Sequence, residues 1–317
     1  MRPEFLLSLG LLASPALAEV PTVLADTPVT ASLVQQVMGD LGQPQLLLDK
    51  GADPHDFQLR PNQARALQDA DLLFWIGPEL TPWLDRAAAQ MQPQQQLSLL
   101  PASALLRHFG EAAHDDEAAH DDHEGHDHAE HADEAHEDHA HDGVDPHAWL
   151  NPDNGAAWLD AIATRLAETD PENADTYRAN AAAARTALAD RDAALTQLLA
   201  PARGKPFLTF HDAYGYFTDH YRLEPAIAVS LGDATAPSAA RLREVQDQIA
   251  GSGALCAFPE TNHPARLIED LTAGTGLRIG EALSPEGTEF DVGAALYGEL
   301  LDQMGQRIAA CLAGESQ

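Results

Sequence analysis

Between Glu111 and Gly143 the chain runs without a single Lys, Arg or large apolar side chain. It carries nine histidines there, at positions 114, 120, 123, 126, 128, 131, 136, 139 and 141, among fourteen acidic residues. A stretch of this kind has no apolar surface to set against the entropy of ordering it, so it cannot join a core. The folded body must be assembled from the segments on either side, with residues 111–143 expected as a mobile insertion. The fourteen acidic groups also supply close to half of the formal charge of −32, which is left by 50 Asp and Glu against 18 Lys and Arg. Phosphate backbones are bound through clustered Lys and Arg, so this balance excludes a nucleic-acid partner.

Imidazoles and carboxylates are ligands for zinc, nickel and copper, and the insertion is expected to bind such ions weakly, at several places and exchangeably. A merely solubilising acidic loop would not call for so many histidines. The run His126-Asp127-His128-Ala129-Glu130-His131 imitates a binuclear zinc hydrolase signature. A catalytic site, however, needs ligands on rigid elements, and the flanks here are low-complexity Asp, Glu and Ala. No His-Glu-x-x-His pair, Gly-x-Ser-x-Gly elbow or phosphate-binding glycine loop occurs in the chain, so no enzyme is expected.

The chain opens with Met1-Arg2, an apolar run from Phe5 to Leu12, and Ser14-Pro15-Ala16-Leu17-Ala18 before Glu19. This is the secretory pattern, with cleavage expected after Ala18 and an exported mature protein. In an oxidising compartment Cys256 and Cys311 are expected as a disulfide rather than two thiols.

Past Ala18, short apolar runs alternate with helical stretches. Val20 to Leu24, Gln45 to Leu48, Leu72 to Ile76 and Gln96 to Leu99 read as buried strands, and a second series comprises Phe207 to Phe210, Pro225 to Ala228, Ala254 to Phe258 and Leu277 to Ala282. Strand then helix, four times in each series, predicts an α/β protein of two lobes, each with a four-stranded parallel sheet flanked by helices. The first lobe is placed at residues 19–170 and the second at 201–317. Between them, Asp170 as N-cap and Pro171 predict a long rigid helix over 171–200, some 45 Å by its rise per residue.

Outside the insertion and its neighbour His108 only five histidines remain, and three have distinctive settings. His55 lies in Gly51-Ala52-Asp53-Pro54-His55-Asp56-Phe57-Gln58-Leu59-Arg60-Pro61, after the second strand. His147 lies in Asp145-Pro146-His147-Ala148-Trp149-Leu150-Asn151-Pro152, where the insertion rejoins the fold, and His211 ends the first strand of the second lobe in Phe210-His211-Asp212-Ala213-Tyr214. Ligands of open α/β sheets bind at the carboxyl ends of strands, so His55, His147 and His211 are expected to share one metal in a cleft between lobes. Three imidazoles with one open position suit tetrahedral zinc, at about 2.0–2.1 Å, better than manganese or magnesium. Asp56, Asp145 and Asp212 are candidates to accept imidazole N–H bonds, or equally to cap turns.

With these segments, the chain resembles the periplasmic zinc-binding proteins of the ZnuA type, in the metal-specific cluster of ABC-transporter solute-binding proteins. The resemblance rests on GADPHDFQLRP, DPHAWLNP and FHDAYGYF, on the histidine-rich insertion and on the long helix. It implies His55, His147 and His211 as zinc ligands, a monomer in the periplasm, and delivery of Zn(II) to an inner-membrane ABC permease with its ATPase. A zinc buffer or metallochaperone using the same histidines without a transporter is the alternative. Many relatives have an Asp in an Asp-Pro-Leu-Gly turn after the last strand; here that turn reads Leu283-Ser284-Pro285-Glu286-Gly287. The fourth position is therefore left to water, a histidine of the insertion, Asp53 or Glu260.

Overall fold

The computed structural model describes residues 20–109, 143–231 and 237–314. The expected signal segment (1–18) and, apart from Gly143, the histidine-rich insertion lie outside the described residues.

Two parallel sheets of four strands each form at the expected apolar runs, although the strand expected at Pro225 to Ala228 runs Ile227–Ser230 and those at Gln45–Leu46, Gln96–Ser98 and Arg278–Ile279 are not buried as expected. The first lobe contains β1 (Val23–Ala25), β2 (Gln45–Leu46), β3 (Leu72–Trp75) and β4 (Gln96–Ser98) in the order β2-β1-β3-β4. The second contains β5 (Phe207–His211), β6 (Ile227–Ser230), β7 (Cys256–Ala257) and β8 (Arg278–Ile279) in the order β6-β5-β7-β8. Both sheets thus reverse strand order at their first strand, which opens a crevice at its carboxyl end.

Helices α1 (Pro28–Met38), α2 (Pro61–Asp69) and α3 (Pro82–Ala88) belong to the first lobe, and α6 (Gly215–Tyr221), α7 (Ala239–Ser252) and α8 (Arg266–Thr272) to the second. Between the lobes run α4 (Pro152–Thr169) and α5 (Ala174–Leu199), and α9 (Leu296–Ala313) ends the fold. A proline at the first turn recurs in α1 to α4, where its missing N–H costs nothing. Thr27 and Asn151 cap α1 and α4 through their side-chain oxygens.

The linking segment departs from the expectation in one respect. Asp170 caps no α-helix: its carboxylate accepts from Asn173 Nδ2 at 2.7 Å and Tyr177 Oη at 2.8 Å, and Pro171–Asn173 forms a 3-10 turn before α5 begins at Ala174. The 26 residues of α5 span roughly 39 Å and pack against α1, α4 and α9. One hydrophobic core runs through this layer, from Val34 and Val37 in α1 past Trp158 and Leu195 to Phe207 and Leu301 in the second lobe. The lobes consequently share a core instead of meeting only at their surfaces. Cys256 and Cys311 form the expected disulfide, which fastens α9 to β7.

Candidate metal centre

His211 is the last residue of β5, at the point where the second sheet reverses order. His55 stands in the loop after β2, which is held in three ways. Asp53 Oδ1 accepts from the His55 backbone N–H at 2.9 Å, Trp83 Nε1 donates to the Pro54 carbonyl at 2.7 Å, and Arg60 pairs with Asp49 at 2.5 Å. His147 immediately precedes the 3-10 turn Ala148–Leu150 that feeds α4.

These three side chains converge. Ring centroids are 5.3 Å apart for His55 and His147, 5.3 Å for His147 and His211, and 6.3 Å for His55 and His211. His211 Nε2 lies 3.4 Å from His147 Nε2 and 3.3 Å from Glu286 Oε1. One donor atom from each of His55, His147, His211 and Glu286 falls within 4.8 Å of all the others. Two ligands of a tetrahedral ion with bonds of 2.0–2.1 Å are separated by roughly 3.3 Å, so His211 Nε2 already stands at tetrahedral spacing from both His147 Nε2 and Glu286 Oε1.

Glu286 was not among the expected fourth groups. The expectation considered position 284 of the last turn, where Ser284 is a poor ligand, but the carboxylate enters two residues later. Gly287, at φ +70°, lets the backbone reverse directly after it, and Trp149 Nε1 holds the turn by donating to the Pro285 carbonyl at 2.8 Å. A carboxylate in the same turn was the available signal.

The other candidates fall elsewhere. Glu260 sits behind His211, accepting from its Nδ1 at 2.6 Å and from Tyr214 Oη at 2.9 Å. Asp53 holds the His55 loop. Of the carboxylates proposed to orient imidazoles, Asp145 does so, at 2.8 Å from His147 Nδ1. With both Nδ1 atoms facing carboxylates, His147 and His211 present Nε2 to the centre.

Burial alone would push the His211 imidazole down, but Glu260 and then Glu286 outweigh it and hold the ring well above its ordinary value. Burial alone would likewise raise Glu286, yet its bond to His211 and the nearby rings of His211, His147 and His55 bring it to about 2. His211 thus lies between two carboxylates that both favour the positively charged form of its ring.

Two parallel α/β lobes joined through a shared helical core, with a nitrogen and oxygen donor set enclosed between them, define a two-lobed metal-binding protein of the solute-binding kind. Comparison with known proteins agrees in both sequence and fold. Residues 23–311 match the family model described as ZnuA, zinc-uptake complex component A periplasmic, and the chain belongs to that family. It is 55% identical to the high-affinity zinc uptake system protein ZnuA of Paracoccus denitrificans (strain Pd 1222), covering 99% of this chain and 100% of that protein. The ZnuA proteins of Brucella abortus (strain 2308), 34% identical over 89% of this chain and 88% of that one, and of Yersinia pestis, 31% identical over 96% of each, are further relatives. A ZnuA crystal structure superposes with a TM-score of 0.71 at 24% identity, over 92% of this chain and 99% of that one. The solute-binding protein FpvC of Pseudomonas aeruginosa in complex with Mn2+ gives 0.75 at 20%, over 93% and 99%. No helix among the described residues is long and apolar enough to cross a membrane.

Proposed function

We propose that this protein captures Zn(II) between its lobes, with His55, His147, His211 and Glu286 as the four ligands, and delivers it to an inner-membrane ABC permease driven by its ATPase. The protein acts in the periplasm as a monomer, and zinc is its cargo, with no chemistry performed on it. The observation that carries the reading is the convergence of three imidazoles and one carboxylate, with donor atoms all within 4.8 Å of one another and His211 Nε2 at 3.3–3.4 Å from two of the others. Manganese and magnesium prefer oxygen-rich octahedral shells, which this donor set does not offer. Enclosure supports transport over buffering: His147, His211 and Glu286 are all buried, and such a site holds one ion to be handed on.

Competition titration of the stripped, full-length protein tests the assignment. Wild type should hold one zinc tightly. His147→Ala and Glu286→Ala should each weaken that ion by orders of magnitude, because a closed tetrahedral set loses a ligand it cannot replace. Unchanged tight-site affinity in Glu286→Ala would return the fourth position to water.

A further inference from the structure

A second group of donors lies directly behind the first. Three residues after Glu260, the His263 side chain brings Nε2 to 3.9 Å from Glu260 Oε2, and a nitrogen of His211 falls within 4.8 Å of both. Glu260 is 3% exposed, whereas His263 keeps 19% of its side chain in solvent, so the pair runs from the interior towards the surface. His263 is held in place by stacking on Phe210, the rings 4.0 Å apart and 15° from parallel.

The hydrogen bonds of Glu260 leave room for a cation. Oε1 accepts from Tyr214 Oη at 2.9 Å and from the His211 backbone N–H at 3.3 Å, while Oε2 accepts from His211 Nδ1 at 2.6 Å. A carboxylate offers about four lone-pair sites, so one remains on Oε2, the oxygen nearer His263. Ligands of one tetrahedral ion stand roughly 3.3 Å apart, and a small rotation of the partly exposed imidazole closes the difference.

We propose that Glu260 and His263 form an outer divalent-cation position at the edge of the cleft, beside His211, which zinc occupies on entering and leaving the inner site. This rests on the reading of His55, His147, His211 and Glu286 as that inner site. With two protein ligands and water completing its shell, the outer position is the weaker of the two. It lowers the barrier to exchange because an ion can take new ligands before releasing all of its old ones.

Two measurements on the full chain test the proposal. Crystals saturated with zinc should show, by anomalous scattering, an ion between Glu260 and His263 in addition to the inner one, and the His263→Ala protein should lose only the outer ion. Extraction of one tightly bound zinc by excess chelator should slow about tenfold in both His263→Ala and His263→Phe, with inner-site affinity nearly unchanged. The phenylalanine variant keeps the stack on Phe210, so a slow rate in both cannot be loss of folding. No outer ion in wild type, an unaltered rate, or faster extraction from His263→Ala would each overturn the proposal. Absence of any tightly held zinc in wild type would instead sink the reading of the inner site.

Discussion

The Asp145 carboxylate holds His147 with one oxygen, Oδ1, 2.8 Å from the ring Nδ1, while its other oxygen faces Arg107 Nη1 at 3.7 Å. Arg107 also bonds Asp219 of α6 at 2.8 Å, so the support for a first-lobe histidine reaches into the second lobe. The fit is close at Gly215, where an added Cβ would lie 2.1 Å from Arg107 Nη1. Removing the charge in Asp145→Asn should weaken zinc about 10- to 100-fold, the usual cost of losing a group that orients a ligand. Arg107→Met should act in the same direction, and adding it to Asp145→Asn should cost little more if Arg107 works through Asp145. Competition titrations of the two single variants and the double variant decide this, full additivity being the contrary result.

If zinc takes His211 as a ligand, it must displace a proton from a ring whose pKa Glu260 and Glu286 hold well above the ordinary imidazole value. At neutral pH about one proton should therefore leave the protein for each zinc bound, and affinity should fall as pH drops below the raised value. Glu286, at about 2, stays ionised throughout and releases none. Calorimetry in buffers of different ionisation enthalpy measures the proton count. A count of zero would mean that His211 is neutral before metal arrives.

The repeated strands and the three histidines were legible because each leaves a local mark: a short apolar run, or a histidine beside Pro and Asp in a turn. Glu286 left a fainter one. A glutamate in a Pro-Glu-Gly turn has many ordinary uses, and only the fold brings it across from β5 to within reach of His211. Glu260 and His263 were separable in principle, since the i, i+3 spacing in Glu260-Thr261-Asn262-His263 is a ligand spacing, but nothing in the sequence shows that Phe210 will hold the imidazole. Arg107 gave no signal, because its partners Asp145 and Asp219 lie far along the chain. The long helical run does begin at Pro171 behind Asp170, as Asp170-Pro171 suggested, but its first turn is 3-10 and α-helix starts only at Ala174.

The disulfide should matter for stability more than for zinc. It closes a separation of 55 residues, and its loss should cost about 2–4 kcal/mol. The end of α9 keeps a second tie, Arg278 Nη2 to the Cys311 carbonyl at 2.7 Å, and none of the four proposed ligands lies on β7 or α9. Urea unfolding of the Cys256→Ala/Cys311→Ala protein should show a lower midpoint with unaltered zinc affinity.

Asp26, just past β1, is fully buried and pushed up to about 6 by desolvation, although Thr27 N and Ile76 N donate to it at 2.7 and 2.8 Å. A carboxyl raised on folding stabilises the native state most when protonated, so its contribution is complete below the unfolded value of 3.8 and is lost as pH rises through about 6. The stability of wild type relative to Asp26→Asn should accordingly fall by roughly 3 kcal/mol between about pH 4 and pH 7. Denaturant titrations of both proteins across that range would show it, and a difference independent of pH would place the native value near the unfolded one.

The histidine-rich insertion is flanked by a paired stem. Phe109 N donates to the Gly143 carbonyl at 3.2 Å, Asp145 N to the Arg107 carbonyl at 2.9 Å, and His108 bridges Val144 in antiparallel fashion. With its ends already adjacent, residues 111–143 can be replaced by a short glycine linker without disturbing Arg107 or Asp145. Nine imidazoles among fourteen carboxylates should raise the local zinc concentration beside the cleft, and their negative field should speed cation capture in a salt-dependent way. The deletion protein should bind less zinc in total, keep one tight ion, and load more slowly only when zinc is scarce. Stoichiometry, competition affinity and loading rate at low and high salt test each part. If the tight ion vanished with the insertion, one of its histidines would be an essential ligand, and the four groups at the cleft would not suffice.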